Sequence, residues 1–370
     1  MSAQQATERL AANEGGIARA AAIIRSGGLV AMPTETVYGL GANALDPIAV
    51  AKVFAAKERP TFDPLIVHVG DRGALDDLLT ARALTDPRIA TLADALWPGP
   101  LTIVAEASPT IPSLVRSGLP TVAVRIPDHP VALALIRGAG LPIAAPSANR
   151  FGRLSPTRAE HVLSDLDGRI DAVIDAGATR VGVESTVVAL DLHRPAMLLR
   201  PGGVDREQLQ TLLAPHGGIG AAVAVPHDAS PLPAPGMTAA HYAPRAPIRL
   251  SRPSTEGSPS SEGSVPSDDP FAGLERCALL GLDRADLGRL AAAADRARVA
   301  VVAALPLSEV RDPVAAAAAL FDLLHRLDAA LAGVANGGIV ATLYPSAGLG
   351  LAIADRLRRA TAASTNGGAR

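Results

Sequence analysis

Cysteine, lysine and aromatic residues are all scarce in this chain of 370 residues. Cys277 is the sole cysteine, which excludes an intrachain disulfide and any metal site that needs several thiolates. Aromatic residues make up 2% of the chain and the net charge is −2, so RNA is disfavoured as the main ligand. Any anion must therefore be bound by a local cluster of charges. The cysteine usage leads us to expect an intracellular, cytoplasmic protein.

Long apolar runs are also rare. The opening segment MSAQQATERLAANEGG has no apolar core after a basic start, so no signal peptide is expected. The longest uncharged run, between Asp328 and Asp355, is interrupted by glycine, asparagine and proline. It is interpreted as strand, turn and helix, and no membrane span is expected.

The length and the 48% hydrophobic content suit two domains with separate cores. Up to about residue 215, apolar β-branched runs alternate with helical patterns, which predicts an α/β domain with a mixed sheet. From residue 276 onward, strand-like runs are each followed by a helix, which predicts a smaller open parallel α/β domain. Helices are predicted near residues 15–26, 46–57, 86–96, 129–138, 157–165, 205–214, 283–296, 312–332 and 347–361.

Composition changes twice between these two domains. Prolines and small residues gather in 223–246, which is interpreted as an interdomain linker. The segment 251–270 lacks apolar residues to bury and is predicted to be disordered. The predicted organisation is therefore one domain over 1–222, the linker, and a second domain over 247–370.

The segment VFAAKERPTFDPLIVHVG holds Lys57 two residues before Arg59, and the only other lysine is Lys52. If the backbone bends between them, the two cations can converge on one anion, as a point charge and a planar fork. The alternative is a solvated pair at a helix C-terminus with no further role. His68 follows on an apolar strand, where a histidine is more often a core residue than a catalytic one. Neither a histidine nor a carboxylate stands nearby at metal-ligand spacing, so no metal site is predicted.

The segment AMPTETVYGLGANA places Thr34, Glu35 and Thr36 at a strand end, before what is interpreted as a Gly-rich turn. Hydroxyls at strand ends can orient an amino acid or a sugar. Gly39 and Gly41 do not complete a dinucleotide fingerprint, because a helix with a third glycine is missing. A tight turn without a ligand is the alternative.

The segment IAAPSANRFGRLSPTRAEHVL is interpreted as a strand, a polar loop and a helix. The loop contains Ser147, Asn149 and Ser155, and the helix is predicted to begin with a capping box from Thr157 to Glu160. Such a loop presents N–H groups and hydroxyls to a phosphate. Ordinary capping accounts for the hydroxyls but does not require Asn149.

Three arginines stand at or beside strand ends: Arg125, Arg180 and Arg200. Arg125 interrupts the apolar run TVAVRIP and is predicted to face a ligand or a carboxylate, because an unpaired buried cation is costly. Ser185 interrupts another strand. A nucleophile-elbow sequence is missing, which disfavours acyl transfer through serine.

A series of ordered motifs covers nearly the whole chain: PTETVYGLGANA, KERPTFDPLIVHV, WPGPLT, TVAVRIPDHP, APSAN, SPT, GVESTVV, LRPGG, PGMTAAHYAP and GLGLAIADRLRRA. Together these motifs resemble the L-threonylcarbamoyladenylate synthases of the YrdC/YwlC kind, in the longer form with an extra C-terminal domain. The resemblance implies a YrdC-like twisted mixed sheet with helices as the catalytic domain, a linker that acts as a lid, and a Rossmann-like C-terminal domain. It implies a nucleotidyltransferase that joins L-threonine, bicarbonate or CO2, and ATP into threonylcarbamoyl-AMP and releases pyrophosphate.

The resemblance also implies roles for individual residues. The catalytic residues would be Lys57, Arg59, Ser147 and Asn149. The threonine ligands would be Thr36, His68, Arg125, Ala145 and Ser185. The ATP ligands would be Lys57, Arg59, Asp63, Thr121, Ser147, Ser155, Arg200 and Tyr242. Mg²⁺ would arrive with ATP, and no permanent cofactor or protein-bound metal is implied.

Two positions depart from the family's pattern. Asp63 stands where relatives often have asparagine, and it puts an anion beside the expected triphosphate, where Mg²⁺ would have to lie between them. The linker reads GMTAAHY where relatives commonly carry basic and aromatic residues, although His241 and Tyr242 remain. We expect the loss of charge to weaken the closing of the linker over the site.

The implied partners are L-threonine, bicarbonate, ATP and the machinery that transfers the threonylcarbamoyl group to tRNA, while direct contact with tRNA is not required. Two alternatives stay open at this point. A relative of the same fold adenylates carbamoyl phosphate, although its acylphosphatase-like and zinc-finger segments are missing here. An RNA-binding module of the same fold is the other.

Overall fold

The computed structural model describes residues 6–220, 231–238, 240–252 and 269–366. Most of the predicted disordered segment and part of the predicted linker lie outside these residues. The chain forms two compact units. The first consists of Met1–Phe151 and Ser155–Met237, and the second of Gly152–Leu154 and Thr238–Arg370.

The first unit is built on a sheet of eleven strands. The strands are β1 (Glu8–Ala11), β2 (Val30–Met32), β3 (Gly39–Asn43), β4 (Ile66–His68), β5 (Leu101–Glu106), β6 (Thr121–Arg125), β7 (Ile143–Ala144), β8 (Ala172–Asp175), β9 (Thr186–Asp191), β10 (Arg194–Arg200) and β11 (Ile219–Gly220). Its helices are α1 (Glu14–Arg25), α2 (Pro47–Lys57), α3 (Leu75–Leu78), α4 (Ala81–Leu84), α5 (Pro87–Leu96), α6 (Pro130–Ala139), α7 (Ala159–Leu166) and α8 (Arg206–Leu213), followed by a 3₁₀ turn (Ala214–His216).

Strand pairing in this sheet is mixed, and it decides which strand ends meet. The order is β1-β8-β2-β3-β7-β4-β6-β5-β9-β10-β11. The short strand β4 lies between β6, to which it is parallel, and β7, to which it is antiparallel. In this register His68 stands opposite Arg125 on one side and opposite Ile143 on the other. Three distant segments of the sequence therefore meet at the C-terminal end of β4.

The second unit is a small parallel α/β fold. Its strands are β12 (Ile248–Ser251), β13 (Arg276–Gly281), β14 (Ala300–Pro306) and β15 (Gly337–Thr342), and its helices are α9 (Arg284–Arg296), α10 (Pro313–Ala330) and α11 (Gly350–Asn366). All of its strand pairs are parallel, in the order β12-β15-β13-β14. The predicted fold class, a mixed sheet followed by a smaller open parallel domain, is confirmed.

Two local predictions are wrong. Gly39 and Gly41 lie in strand β3 rather than in a turn. A Cβ atom on Gly41 would lie 2.9 Å from the Ile143 side chain, so glycine is what allows β3 to pack this closely. The predicted capping box is also absent. Helix α7 begins only at Ala159, and Thr157 Oγ1 instead lies 3.3 Å from His161 Nδ1.

Within the described ranges, no helix combines the length and the hydropathy that a bilayer crossing requires.

Candidate active site

Lys57 is the last residue of α2, and its side chain is buried against the loop that follows β7. Aspartate caps the start of α2, because Asp46 accepts a hydrogen bond from Ile48 N–H, so the helix is fixed at both ends. The Lys57 ammonium donates to the main-chain carbonyls of Ser147, at 2.5 Å, and of Asn149. Only 1% of Lys57 is exposed, so the alternative of a solvated charge is wrong.

Burial has a direct effect on the charge of this lysine. Desolvation holds the pKa of Lys57 well below its ordinary value, and the neighbouring positive charge of Arg59 acts in the same direction. The carboxylate of Asp63 opposes both effects. A bound phosphate would add negative charge beside Lys57. Because the site is buried, the ammonium form of Lys57 would be stabilised more by this charge than an exposed ammonium would be.

Arg59 is also buried, at 7% exposure, and its guanidinium is held by the turn that leads into β4. Nη2 lies 2.9 Å from Asp63 Oδ1 and donates to Pro64 O at 2.8 Å, while Nε donates to Asp63 O at 3.0 Å. The Phe151 ring centroid lies 6.0 Å from the guanidinium carbon. Arg59 is therefore fixed in direction before any ligand binds.

Asp63 is fully buried and joins Arg59 to a distant part of the chain. Its Oδ1 accepts a hydrogen bond from Gly236 N–H at 3.3 Å, and Oδ2 has no hydrogen-bond partner among the described residues. Burial raises the pKa of Asp63, while Arg59 pulls in the opposite direction. The Asp63 carboxylate is thus the counter-ion of Arg59.

Arg125 is the last residue of β6, and its guanidinium binds polar side chains of the segment after β2. Its Nη2 lies 2.6 Å from Glu35 Oε1, Nη1 donates to Thr36 Oγ1 at 3.0 Å, and Nε donates to Gly99 O at 3.2 Å. Thr34 and Thr36 share a hydrogen bond of 2.8 Å between their hydroxyls. The predicted carboxylate partner of Arg125 is thus Glu35, and the hydroxyl of Thr36 is fixed beside the guanidinium.

His68 lies opposite Arg125 and is buried. Its Nδ1 lies 3.2 Å from Ile66 O. Burial, with a contribution from the Arg125 charge, lowers the pKa of His68 to about 3. The imidazole is therefore neutral at physiological pH and can act only as a neutral donor or acceptor.

Arg200 and Ser185 form a second polar cluster, at the ends of β10 and β9. Arg200 Nη2 donates to Ser185 O at 2.9 Å and lies 3.2 Å from Ser185 Oγ. The Ser185 hydroxyl also lies 2.8 Å from Thr102 Oγ1. Arg200 Nη1 donates to Pro235 O at 3.1 Å. Arg200 and Asp63 therefore both bind the segment 231–237.

Apolar contacts hold this segment on the sheet. Leu232, Ala234 and Met237 pack in a core cluster with Ile66 of β4 and Ala123 of β6. Side chains alternate along a strand, so this face of β4 and β6 is also the one that bears His68 and Arg125. Leu232 N–H additionally donates to Phe62 O at 3.0 Å. The segment 231–237 therefore covers the face on which the predicted site residues stand.

Comparison with known proteins relates the chain to one family. Residues 22–202 match the Sua5/YciO/YrdC family model, described as "Telomere recombination", and residues 204–362 match the threonylcarbamoyl-AMP synthase C-terminal domain. The chain is 41% identical over 362 residues to the threonylcarbamoyl-AMP synthase of Bacillus subtilis, covering 96% of this chain and 95% of that protein. The chain belongs to the threonylcarbamoyl-AMP synthase family.

Two further comparisons, one with a sequence and one with a solved structure from Pyrococcus abyssi, support this assignment. The threonylcarbamoyl-AMP synthase of that organism is 48% identical over 230 residues, covering 62% of this chain and 66% of the relative. The crystal structure of P. abyssi Sua5 complexed with L-threonine has a TM-score of 0.78 and 36% identity, covering 97% of this chain and 98% of that one. The family expected from the motifs is thereby confirmed, ahead of both alternatives.

The structure places the remaining predicted ligands of this synthase as follows. Ala145 is buried, and its N–H donates to Ile66 O at 2.9 Å, beside the start of β4. Ser155 donates a hydrogen bond to Glu184 Oε1. Thr121 begins β6 and so lies at the opposite end of this strand from Arg125. Because Ala123 pairs with Ile66, Thr121 is level with Pro64. It also lines a pocket of about 210 Å³ together with Glu106.

Tyr242 lies in the second unit of the synthase. Its ring is 5.7 Å from the Phe321 ring and 4.2 Å from the His241 ring between centroids, and the Arg356 guanidinium carbon lies 5.0 Å from the Tyr242 centroid. The residue is almost fully buried there. Its predicted contact with ATP stays a prediction.

The sequence predicted a ligand or a carboxylate for Arg125 but did not pair it with Glu35, and it paired neither Ser155 with Glu184 nor Ser185 with Thr102. Each of these partners is a polar residue next to, or facing, a predicted ligand, but the pairing depends on strand register. In the described part of the chain, no group of three histidine, cysteine or carboxylate side chains could hold a metal ion.

Proposed function

We propose that the first unit of this threonylcarbamoyl-AMP synthase is the catalytic domain, with a threonine subsite around Arg125 and a phosphate subsite around Lys57 and Arg59. The carrying observation is that Lys57, buried on the carbonyls of the Ser147–Asn149 loop, and Arg59, buried on the turn before β4, flank the sheet whose neighbouring strands bear His68 and Arg125. The product is threonylcarbamoyl-AMP, made from L-threonine, bicarbonate or CO2, and ATP.

The threonine subsite consists of Thr36, His68, Arg125, Ala145 and Ser185. Arg125 presents a planar fork that suits the substrate carboxylate, and Glu35 and Thr36 already fix its orientation. Neutral His68 offers a hydrogen bond without adding a positive charge next to Arg125. The hydroxyls of Thr36 and Ser185 suit the polar groups of threonine.

The phosphate subsite consists of Lys57, Arg59, Ser147, Asn149, Ser155 and Arg200, with Thr121 and Tyr242 as further ATP ligands. Lys57 and Arg59 supply charge in a buried setting, where electrostatic stabilisation is strongest. Losing one such contact costs about 3 kcal/mol in the transition state. The triphosphate competes with Asp63 for Arg59 and releases this ion pair.

Asp63 is the group that suits Mg²⁺ carried by ATP. Its Oδ2 is a buried carboxylate oxygen, and Mg²⁺ bound to nucleotides takes one or two such ligands from the protein. Bound Mg²⁺ would neutralise charge on the phosphates. No permanent cofactor is required by this arrangement.

The reaction proceeds without a protein nucleophile. The amine of threonine attacks the carbon of CO2 and forms a carbamate, and the nitrogen loses one proton; when bicarbonate is the substrate, a C–O bond breaks and water leaves. A carbamate oxygen then attacks the α-phosphorus of ATP, the bond from that phosphorus to the bridging oxygen of the β-phosphate breaks, and pyrophosphate leaves. The protein supplies positioning through Arg125 and Thr36, and stabilises charge through Lys57, Arg59 and Arg200.

The predicted linker 223–246 acts as a lid over this site. The support comes from the segment 231–237, which is bound by Asp63 and Arg200 and packs on the face that bears His68 and Arg125. Residues 1–222 form the catalytic domain in this scheme, and residues 247–370 form the C-terminal domain. The product passes to the cytoplasmic machinery that modifies tRNA, without a need for tRNA to touch this chain.

Product analysis tests the proposed function directly. The purified chain is incubated with ATP, L-threonine and ¹³C-labelled bicarbonate, and the nucleotides are separated and weighed by mass spectrometry. We expect a threonine adduct of AMP that carries one labelled carbon. An adduct that forms from carbamoyl phosphate instead, or AMP without threonine, would contradict the assignment.

A further inference from the structure

Glu58 separates Lys57 from Arg59 and has a left-handed backbone, with φ 53° and ψ 38°. Residues other than glycine, asparagine and aspartate rarely adopt this conformation. The Glu58 N–H donates to Ala55 O at 3.2 Å, and the Arg59 N–H donates to Phe54 O at 2.9 Å, which closes the last turn of α2. The chain therefore changes direction at the residue between the two cations.

This turn explains how residues two apart serve one site. In a continuing helix, side chains at i and i+2 do not face each other. With the left-handed residue between them, Lys57 points to the carbonyls of Ser147 and Asn149 and Arg59 points to the turn at Asp63, and both are buried. Glu58 itself is exposed.

The carboxylate of Glu58 fixes the turn from outside. Its Oε2 lies 2.6 Å from Arg150 Nη2, and its Oε1 lies 2.7 Å from Arg169 Nη1. Arg150 directly follows Asn149, and the next N–H, of Phe151, donates to Lys57 O at 2.8 Å. The same two segments are thus joined twice, by Lys57 on the buried side and by Glu58 on the exposed side.

We propose that Glu58 is a positioning residue for the reaction. Its left-handed backbone directs Lys57 and Arg59 into one phosphate subsite. Its ion pair with Arg150 holds that turn on the Ser147–Asn149 loop, and its ion pair with Arg169 holds it on the segment after α7. The inference rests on the proposed function, in which Lys57 and Arg59 bind the phosphates of ATP. A displacement of about 1 Å at such contacts can cost a factor of about a hundred in rate.

Glu58→Val and Glu58→Gly separate the backbone effect from the loss of the carboxylate. Both remove the ion pairs, but a β-branched residue strongly disfavours the left-handed region, whereas glycine adopts it freely. Arg298→Val is the matched control, since Arg298 follows helix α9 with φ 58° in the second unit. Pyrophosphate release is measured at varied ATP and at varied threonine, well below the melting temperature of each variant.

We expect kcat/KM for ATP in Glu58→Gly to be below native by no more than about fivefold, and in Glu58→Val to lie at least fivefold below Glu58→Gly. The KM for threonine should stay within twofold of native in both variants. Arg298→Val should lower the melting temperature and leave kcat/KM for ATP within twofold. A Glu58→Val enzyme less than fivefold below Glu58→Gly overturns the proposal. If the native chain releases no pyrophosphate with threonine, the proposed function fails instead. The role of Glu58 is then decided by calorimetry, where an ATP affinity of Glu58→Val less than fivefold below that of Glu58→Gly overturns the proposal.

Discussion

Arg59 and Asp63 form a buried ion pair across one turn of the chain, with Nη2 and Oδ1 2.9 Å apart. The pair also reaches the linker, because Oδ1 accepts a hydrogen bond from Gly236 N–H. The cation that we assign to the phosphates is thus neutralised by the protein before ATP binds. When ATP binds, a phosphate group replaces the Asp63 carboxylate as the partner of Arg59 in the proposed function.

Asp63→Asn should lower the thermal stability of the ligand-free protein and increase its stabilisation by ATP. The asparagine keeps the shape but leaves Arg59 without its counter-charge, and such a change costs about 3 kcal/mol for a buried pair. We expect a lower melting temperature without ligand and, in Mg²⁺-free buffer where only the competition for Arg59 acts, a larger rise on addition of ATP. Thermal melts with and without ATP measure both effects. An unchanged ATP-induced rise would show that Asp63 does not compete with the nucleotide.

Arg125→Lys should impair threonine binding although the charge is kept. Lysine cannot reproduce the fork that joins Glu35, Thr36 and a carboxylate, so we expect the KM for threonine to rise at least tenfold with little change in the KM for ATP. Arg88→Lys is the matched control, because Arg88 is also buried and paired with Asp86, at 2.6 Å. A threonine KM that rises equally in both variants would assign Arg125 a purely structural role.

His68 should make the protein less stable in mild acid. Its pKa is about 3 in the folded chain and near 6.5 when unfolded, so the unfolded chain binds an extra proton between these values. The stability from neutral His68 is complete above about pH 6.5 and is lost as the pH falls toward 3. Between pH 7 and pH 5 the loss from this group is about 2 kcal/mol. Urea unfolding of native and His68→Asn protein at both pH values isolates the effect, and identical losses in the two proteins would refute it.

The linker should become resistant to proteolysis when the substrates bind. The contacts of residues 231–237 with Asp63 and Arg200 give this segment a docking place on the sheet, and bound substrates extend the surface on which it rests. We expect proteinase K to cut within 226–245 several-fold more slowly with ATP plus threonine than with neither. Equal cutting rates would argue against a lid.

Local signals in the sequence predicted much of the fold. Helix α2 carries Asp46 and Pro47 at its start, and the prediction that it ends at Lys57 matches the structure. The capping-box motif at Thr157 failed, because a start signal in sequence does not guarantee that the chain enters the helix there. Strand β3 was missed because its glycines look like a turn, whereas its close packing on β7 is what requires them.

The site could be predicted only as separate pieces. Motifs named Lys57, Arg59 and Arg125, but the contact of Lys57 with the Ser147 carbonyl spans 90 residues and that of Arg125 with Glu35 also spans 90. Such contacts follow from the register of β4 between β6 and β7, which local patterns do not determine. The left-handed turn at Glu58 carries no sequence signal, because glutamate is not a residue that favours it.

Pyrophosphate release with each substrate omitted in turn, compared between native protein and two lysine variants, measures both the substrate requirement and the role of Lys57. The chain has only two lysines, and Lys52, whose ammonium donates to Gly27 O at 2.7 Å, is the natural control for Lys57. Release should require ATP, threonine and bicarbonate together, fall about a hundredfold or more in Lys57→Met, and stay within twofold of native in Lys52→Met. Release that is equal with serine, that continues without bicarbonate, or that survives Lys57→Met would contradict the account.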